Sequence, residues 1–368
     1  MTSERAAATP RPGVMAIAPY QVGGARIDGA APAFKLSANE NPWGPSPRAV
    51  AAYREAACRL ADYPDADSGA LRRAIGEVQG LDPDRIICGN GSDELLQLLA
   101  LAYARDGDEV VYSRHGFLLY PSYALMNGAT PVAAAETDLT ADVDALLAAC
   151  SERTRLVYLA NPNNPTGTRL NAQEIERLAV GVPENALLVI DGAYAEFVDA
   201  EDFDAGASLI ARRPNVVMTR TFSKIYGLAA LRVGWMHAAP DVIDVINRIR
   251  GPYNLNMAAQ AAAAEAMRDV EYTARIKAET LRLRASLTAA LGDAGVPTTG
   301  SECNFVLAHF GTAPETGAAA ADAYLKARGI IARRMEAYGL AGHLRISIGT
   351  EAACVAVAEA VAAFRGVS

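Results

Sequence analysis

Between Arg85 and His237 the chain repeats one unit: a short run rich in Val, Ile and Leu, a polar or Gly-rich break, then a helical stretch. Strands are expected over 85–88, 109–112, 131–134, 156–160, 186–190, 216–218 and 233–237, with helices between most of them, for example at 143–149 and 172–179. Runs this short and this uniformly apolar have no face to leave in water, so the strands must be covered on both sides. Alternation with helices then sets the topology: an α/β fold with a mostly parallel sheet, its ligand chemistry at the carboxyl ends of the strands.

After Gly251-Pro252 the character changes. The stretch from Met257 to about Leu291 reads as one long Ala-rich helix suited to bridging two domains. Strands at 304–309, 329–333 and 344–348, with helices at 317–328 and 351–364, predict a smaller α+β domain beyond it. A chain of 368 residues exceeds what one simple core holds. The predicted division is an N-terminal arm over 1–35 packing with the small domain, a large domain over 36–256 and a small domain over 257–368.

Composition narrows the partners. A net charge of -8 argues against a nucleic-acid surface, and no Lys/Arg block suggests a membrane patch. The first residues lack the apolar core of a signal peptide and no apolar run is long enough to span a bilayer, so a cytoplasmic protein is expected. Cys58, Cys88, Cys150, Cys303 and Cys354 contain no C-x-x-C pair, and His115, His237, His309 and His343 share no ligand spacing. Neither a disulfide framework nor a metal site is predicted.

The chemistry gathers at strand ends. The run 216–218 breaks into Thr219, Arg220, Thr221, Phe222, Ser223 and Lys224, and a second apolar segment follows that carries Arg232. A lysine alone is most often a solvated charge. Here two hydroxyls (Thr221, Ser223) and a guanidinium (Arg232) stand near it in sequence, and together these groups can hold a phosphorylated aldehyde. Pyridoxal phosphate is the cofactor this equipment fits. The strand 186–190 ends in Asp191, a carboxylate able to keep a pyridine nitrogen protonated, with Tyr194 three residues on as a hydroxyl donor. The strand 156–160 runs into NPNNPTG, a rigid turn in which Asn164 is a fixed amide. In GNGSDE, Gly89 and Gly91 make a tight turn, Ser92 or Asp93 caps, and the helix start offers an anion site. KLSANENPWGPSP reads as a long ordered turn, and Tyr20 is an isolated aromatic in the arm.

In this order NENPWGPSP, YPD, GNGSDE, NPNNPTG, VIDGAYAEF, TFSKIYGLAALRVGW and LRISIGT resemble the motifs of the fold-type I, class II pyridoxal-phosphate aminotransferases. Within them the chain is similar to the branch that acts on histidinol phosphate, with the aromatic aminotransferases next. The resemblance implies a fold-type I transferase that moves an amino group between L-histidinol phosphate and 2-oxoglutarate, in histidine biosynthesis, as a homodimer with shared active sites. It implies Lys224 as the amine joined to the cofactor. Thr221, Ser223, Arg232 and the amides of Ser92 and Asp93 would lie on the cofactor phosphate, Asp191 on the ring nitrogen, and Tyr194 and Asn164 on the phenolic oxygen. Phe117 takes the ring-stacking place where tyrosine is usual. Tyr63 of YPD would reach the phosphate of a neighbouring subunit. Arg345 would bind the substrate's anionic end, with Arg333 and Tyr20 as further anion partners, although Arg333-Arg334 departs from the family's single arginine. An aromatic-amino-acid aminotransferase, a decarboxylase or lyase, and a non-catalytic sensor module on the same fold remain the alternatives.

Overall fold

The computed structural model describes residues 8–19 and 34–367. In chain order the elements are α1 (Pro12–Met15), β1 (Phe34–Lys35), α2 (Pro47–Ala56), α3 (Gly69–Gln79), β2 (Ile86–Gly89), α4 (Ser92–Tyr103), β3 (Glu109–Ser113), α5 (Leu119–Met126) and β4 (Thr130–Ala134). A two-strand hairpin, β5 (Glu136–Thr137) and β6 (Thr140–Ala141), leads to α6 (Val143–Ala148), β7 (Thr154–Ala160), α7 (Ala172–Gly181), β8 (Leu187–Asp191), α8 (Ala207–Ile210), β9 (Val216–Thr221), β10 (Gly234–His237) and α9 (Pro240–Ile249). Then come α10 (Met257–Arg268), α11 (Val270–Asp293), β11 (Phe305–His309), α12 (Ala318–Lys326), β12 (Ile330–Ile331), β13 (Arg333–Arg334), β14 (His343–Ser347) and α13 (Glu351–Arg365).

The main sheet has seven strands in the order β2-β10-β9-β8-β7-β3-β4. Only β10 runs antiparallel to its neighbours. Side chains alternate along each strand, so each strand except the edge strand β4 feeds two cores. From β8, Leu188 and Ile190 enter one cluster, shared with α3, α6, α7 and α10. Leu187 and Val189 enter another, shared with α4, α5 and α9. That double burial is what the uniformly apolar runs demanded. The smaller sheet, β11-β14-β13, packs with α12, α13 and the second half of α11 around Val306, Leu344, Ile346, Leu287 and Val357.

Three expectations change. The run from Met257 to Leu291 is two helices. Asp269 sits at φ -84°, ψ 66°, and its side chain accepts from the Tyr272 amide, capping α11 and ending α10. The buried alanines of α10 (Ala259, Ala262, Ala263, Ala266) join the large core, because small side chains let this helix lie close against α2 and α3; by packing, α10 goes with the large unit. The arm divides as well: α1 lies against α5, with the Leu125 carbonyl oxygen 2.2 Å from where a Cβ on Gly13 would stand, whereas β1 pairs in parallel with β12 of the small unit.

Backbone approach also sets where α4 begins. A Cβ on Gly234 would lie 2.2 Å from the Ser92 nitrogen and 2.5 Å from the Gly91 carbonyl carbon. Gly234→Ala is therefore expected to destabilise the protein by roughly 1–3 kcal/mol through overpacking, read as a lowered urea midpoint. Gly292→Ala, on the exposed side of α11 with no atom within 4 Å of its Cβ position, is expected to raise the midpoint, by about 0.5 kcal/mol.

Candidate functional site

Four strands of the main sheet deliver polar residues to one edge. β2 hands over to Gly91 and the start of α4, β7 to the Asn161–Gly167 turn, β8 ends on Asp191, and β9 ends on Thr221 just before Ser223 and Lys224. A cavity of roughly 280 Å³ opens there, bounded by Ser92, Asp93, Phe117, Asn164, Asp191, Tyr194, Thr221, Ser223, Lys224 and Arg232. Ten of the residues singled out from sequence thus meet at one place although up to 140 positions separate them.

Lys224 is half-buried. Its Nζ donates to the Ala38 carbonyl at 3.4 Å and lies 5.5 Å from the centre of the Tyr194 ring. Burial above all, then Arg345 and to a lesser degree Arg232, bring its pKa down to about 8, with Asp93 opposing. Asp191 is 6% exposed. It accepts from the Tyr120 hydroxyl at 2.9 Å and the Thr219 hydroxyl at 3.3 Å, and burial lifts its pKa to about 6. Its side-chain donors are neutral hydroxyls, so a cationic ring nitrogen brought within reach would find an acid with no competing salt bridge.

At one end of the cavity Arg232 holds an αL backbone (φ 54°), donating to the Ser223 hydroxyl at 3.1 Å and to Asp93 at 3.0 Å. The cap of α4 differs from expectation: Gly91, not Ser92 or Asp93, occupies the N-cap at φ 84°, without a side-chain cap. A Cβ there would stand 2.5 Å from Arg232 Nη2, so glycine admits the guanidinium beside the free amides of the helix start. Hydroxyls, a guanidinium and helix N–H groups together form an anion cradle. Thr221 accepts from the Ser223 amide at 3.1 Å, which shapes the turn before Lys224.

Behind Asn164 in the cavity wall, Arg345 is 6% exposed. It donates to the Asn164 side-chain oxygen and, at 2.8 Å, to the Ser37 carbonyl, while its Nε has no hydrogen-bond partner among the described residues. Arg333 lies directly across the β13–β14 ladder from it. Tyr63 does not meet the cavity; it is 79% exposed and stacks on Tyr253 at 4.6 Å. Tyr20 lies outside the described residues.

Sequence reasoning missed Tyr120 and Thr219 on Asp191, Glu40 and Ala38 in the cavity wall, and Asn39, whose amide donates to the Tyr194 hydroxyl at 2.9 Å. Asn39 carried a faint signal, an asparagine in a Gly- and Pro-rich turn, and it has φ 55°. No group of three or more metal-ligating side chains occurs among the described residues, and none of their helices is long and apolar enough to cross a membrane.

A half-buried amine and a buried acid at the edge of a doubly covered sheet, with an anion cradle beside them and a buried arginine behind Asn164, place the chain among the α/β transferases that work through a reactive lysine. It belongs to the class I and II aminotransferase family, whose model matches residues 31–361. A histidinol-phosphate aminotransferase from Ruegeria pomeroyi is 54% identical over 357 residues, 97% of this chain and 98% of that protein. One from Rhodopseudomonas palustris is 50% identical over 97% of this chain and 98% of its own length. Among solved structures, the Sinorhizobium meliloti histidinol-phosphate aminotransferase in complex with pyridoxal-5'-phosphate superposes with a TM-score of 0.90 at 30% identity, over 100% of this chain and 99% of that one. A Thermus thermophilus aspartate aminotransferase variant shares the fold at a TM-score of 0.82 and 21% identity, over 97% of this chain and 99% of that one.

The amine's environment is open to direct measurement. Below about pH 8 Lys224 is an unreactive ammonium and above it a free nucleophile. In protein freed of small molecules, reductive methylation mapped by peptide should label Lys224 with a midpoint near pH 8, whereas ordinary lysines titrate near about 10.4. Arg345→Met removes a cation that disfavours the ammonium and should move that midpoint upward, leaving the contribution of burial in place.

Proposed function

We propose that the chain is a pyridoxal-phosphate-dependent aminotransferase that exchanges an amino group between L-histidinol phosphate and 2-oxoglutarate, a step of histidine biosynthesis, on a fold-type I scaffold. The observation that carries the reading is the meeting of Lys224 and Asp191 in one cavity with an anion cradle at one end and Arg345 bonded to Asn164 in its wall. The cradle suits the cofactor phosphate and the arginine the substrate anion. The relatives named for this reaction match the chain at 50–54% identity over nearly its full length.

When bound, pyridoxal phosphate supplies an aldehyde that condenses with amines and a cationic ring that accepts the electron pair left when Cα loses its proton. The protein's own groups do the rest. Ser223, Arg232 and the amides of Ser92 and Asp93 bind the phosphate, with Thr221 shaping their turn. Asp191 holds a proton on the ring nitrogen, itself oriented by Tyr120 and Thr219. Tyr194 and Asn164 would orient the phenolic oxygen, and Phe117 would cover a face of the ring. Lys224 Nζ takes the proton from the substrate's Cα, a task its lowered pKa suits because far more of the amine is neutral near neutral pH than for an ordinary lysine.

Arg345 explains how two substrates share one site. Histidinol phosphate carries a phosphate ester where glutamate carries its α-carboxylate, and one guanidinium fork grips either anion. Arg333 beside it, and Tyr20, are the further anion partners. We also assign the active form as a cytoplasmic homodimer: Tyr63 stands on the outside of its own chain, away from its own cavity, which supports a role at the phosphate site of a second copy.

Steady-state rates decide the substrate. With 2-oxoglutarate as acceptor, kcat/KM for L-histidinol phosphate should exceed that for phenylalanine or tyrosine by about 100-fold or more, with glutamate formed in step with product. A preference for the aromatic amino acids, or product without glutamate, would select the aromatic aminotransferase or the lyase instead. Lys224→Ala should abolish turnover and the visible absorbance of lysine-bound cofactor. Asp191→Asn should keep the cofactor yet lose about 10²-fold to 10⁴-fold in kcat; an unimpaired rate would remove the role given to the acid.

A further inference from the structure

A buried carboxylate beside the cavity takes no part in the chemistry above. Glu136 opens β5, and its side chain is only 3% exposed. Oε1 accepts from the His115 backbone N–H at 2.9 Å and from the Ser113 hydroxyl; Oε2 stands 2.6 Å from His115 Nδ1. The donors are the last residue of β3 and His115 in the short turn that follows it, which leads through Phe117 to α5. Burial would raise the Glu136 pKa, but the bonds from His115 and Ser113 outweigh it and hold the group below the usual range, so it is a full acceptor at neutral pH.

The same turn is tied on its other side. The His115 carbonyl accepts from Asn163 Nδ2 at 3.1 Å, and that amide also donates to the Thr166 hydroxyl at 2.9 Å. Asn163 precedes Asn164, so the turn that presents Phe117 and the turn that presents Asn164 share one hydrogen-bond chain. Phe117 then packs edge-on against Tyr120, ring centres 5.7 Å apart, and Tyr120 is the phenol that donates to Asp191. The turn's own backbone bonds, from Gly116 to the Ser113 carbonyl and from Arg114 to the Ala134 carbonyl, are made on its other atoms. A buried acceptor that gathers a backbone amide, a hydroxyl and an imidazole fixes it more firmly than packing alone, since loss of that acceptor leaves buried donors unpaired.

We infer that Glu136 is a positioning residue that clamps the Ser113–Phe117 turn and thereby presents the Phe117 ring to the bound cofactor. The inference rests on the reading in which this cavity binds pyridoxal phosphate, and it concerns only how the ring-facing wall is held.

A double-mutant cycle on the full-length holoenzyme tests it, reading the rate at which cofactor is lost on dilution and the visible circular dichroism of the cofactor that remains. Glu136→Ala should speed loss roughly threefold to tenfold, the span expected for one aromatic contact, and should weaken the dichroism. Glu136→Gln should recover most of that loss, because an amide oxygen still accepts from the His115 N–H and the Ser113 hydroxyl. In a Phe117→Ala background, Glu136→Ala should add less than about twofold, since the ring it positions is gone. If Glu136→Ala fails to fold, Ser113→Ala, which removes one donor, is carried through the same cycle. The clamp is overturned if these variants leave cofactor loss and dichroism unchanged, or if their effect multiplies in full with Phe117→Ala. The wild-type spectrum reports separately on whether the cavity binds the cofactor, so failure of the clamp and failure of the functional reading are told apart.

Discussion

Burial of the main sheet on both faces is the constraint from which the site follows. Leu188, Ile190 and Met218 fill one core while Val189, Val217 and Met236 fill the other, which leaves neither face available for a ligand. The sheet's edge is what remains. Polar side chains at the carboxyl ends of β2, β7, β8 and β9 cannot fold back into an apolar layer without leaving hydrogen bonds unmade. They converge in the gap where the connecting loops diverge, and the cavity is the result of that exclusion as much as of any pair of contacts.

Inside the cavity the charges are unusually close to balance, and the balance tunes the groups. Arg345 and Arg232 disfavour the ammonium of Lys224, while Asp93 and Glu40 favour it. Asp93 is partly committed to Arg232, which tips the sum against the ammonium and adds to the effect of burial. Asp191 meets the opposite problem. Among hydroxyl donors it is poorly compensated, hence its rise to about 6. A cation bound at that position would reverse the rise, so the acid and its ligand stabilise one another's charged forms. An amine that is easily neutral and an acid that waits for a cation are complementary states of one electrostatic arrangement.

The strands, the lysine and the acid were legible because each depends on local sequence: a run of apolar residues, a polar break, a charged residue at the break. Gly91 and Asp269 were misjudged for a related reason. The choice among neighbouring residues for a cap depends on which one tolerates the required backbone, and at Gly91 the deciding factor is a guanidinium from a residue far along the chain. Tyr120, Thr219 and Glu136 were not legible at all, and Asn39 only faintly. Each acts through a partner on another element, and nothing in the spacing of LLYPSYA or AAETDL points across the sheet. Likewise α10 looked like part of the bridge to the small domain because its alanines carry weak periodicity. Only their fit against α2 and α3 assigns them to the large core.

The segment from Phe34 to Gly44 shows why the two units act as one site. Phe34 and Lys35 pair with β12, the Leu36 carbonyl accepts from the Ser347 amide, and the Ser37 carbonyl accepts from Arg345. Asn39 receives the Asn304 amide of the small unit and donates to Tyr194 of the large one. Two residues on, Asn41 donates to the Ile225 carbonyl next to Lys224, and the Tyr272 hydroxyl donates to the carbonyls of Trp43 and Gly44. Any shift of the small sheet must therefore drag the Ala38 carbonyl that holds Lys224 and the Asn164 amide that holds Arg345. On the proposed reading, an anion arriving at Arg345 would compete for the guanidinium with Asn164 and Ser37. Its binding energy would then reach the hydrogen bonds that orient the lysine and the turn above it, which is how a contact remote from the reacting atoms can contribute to catalysis.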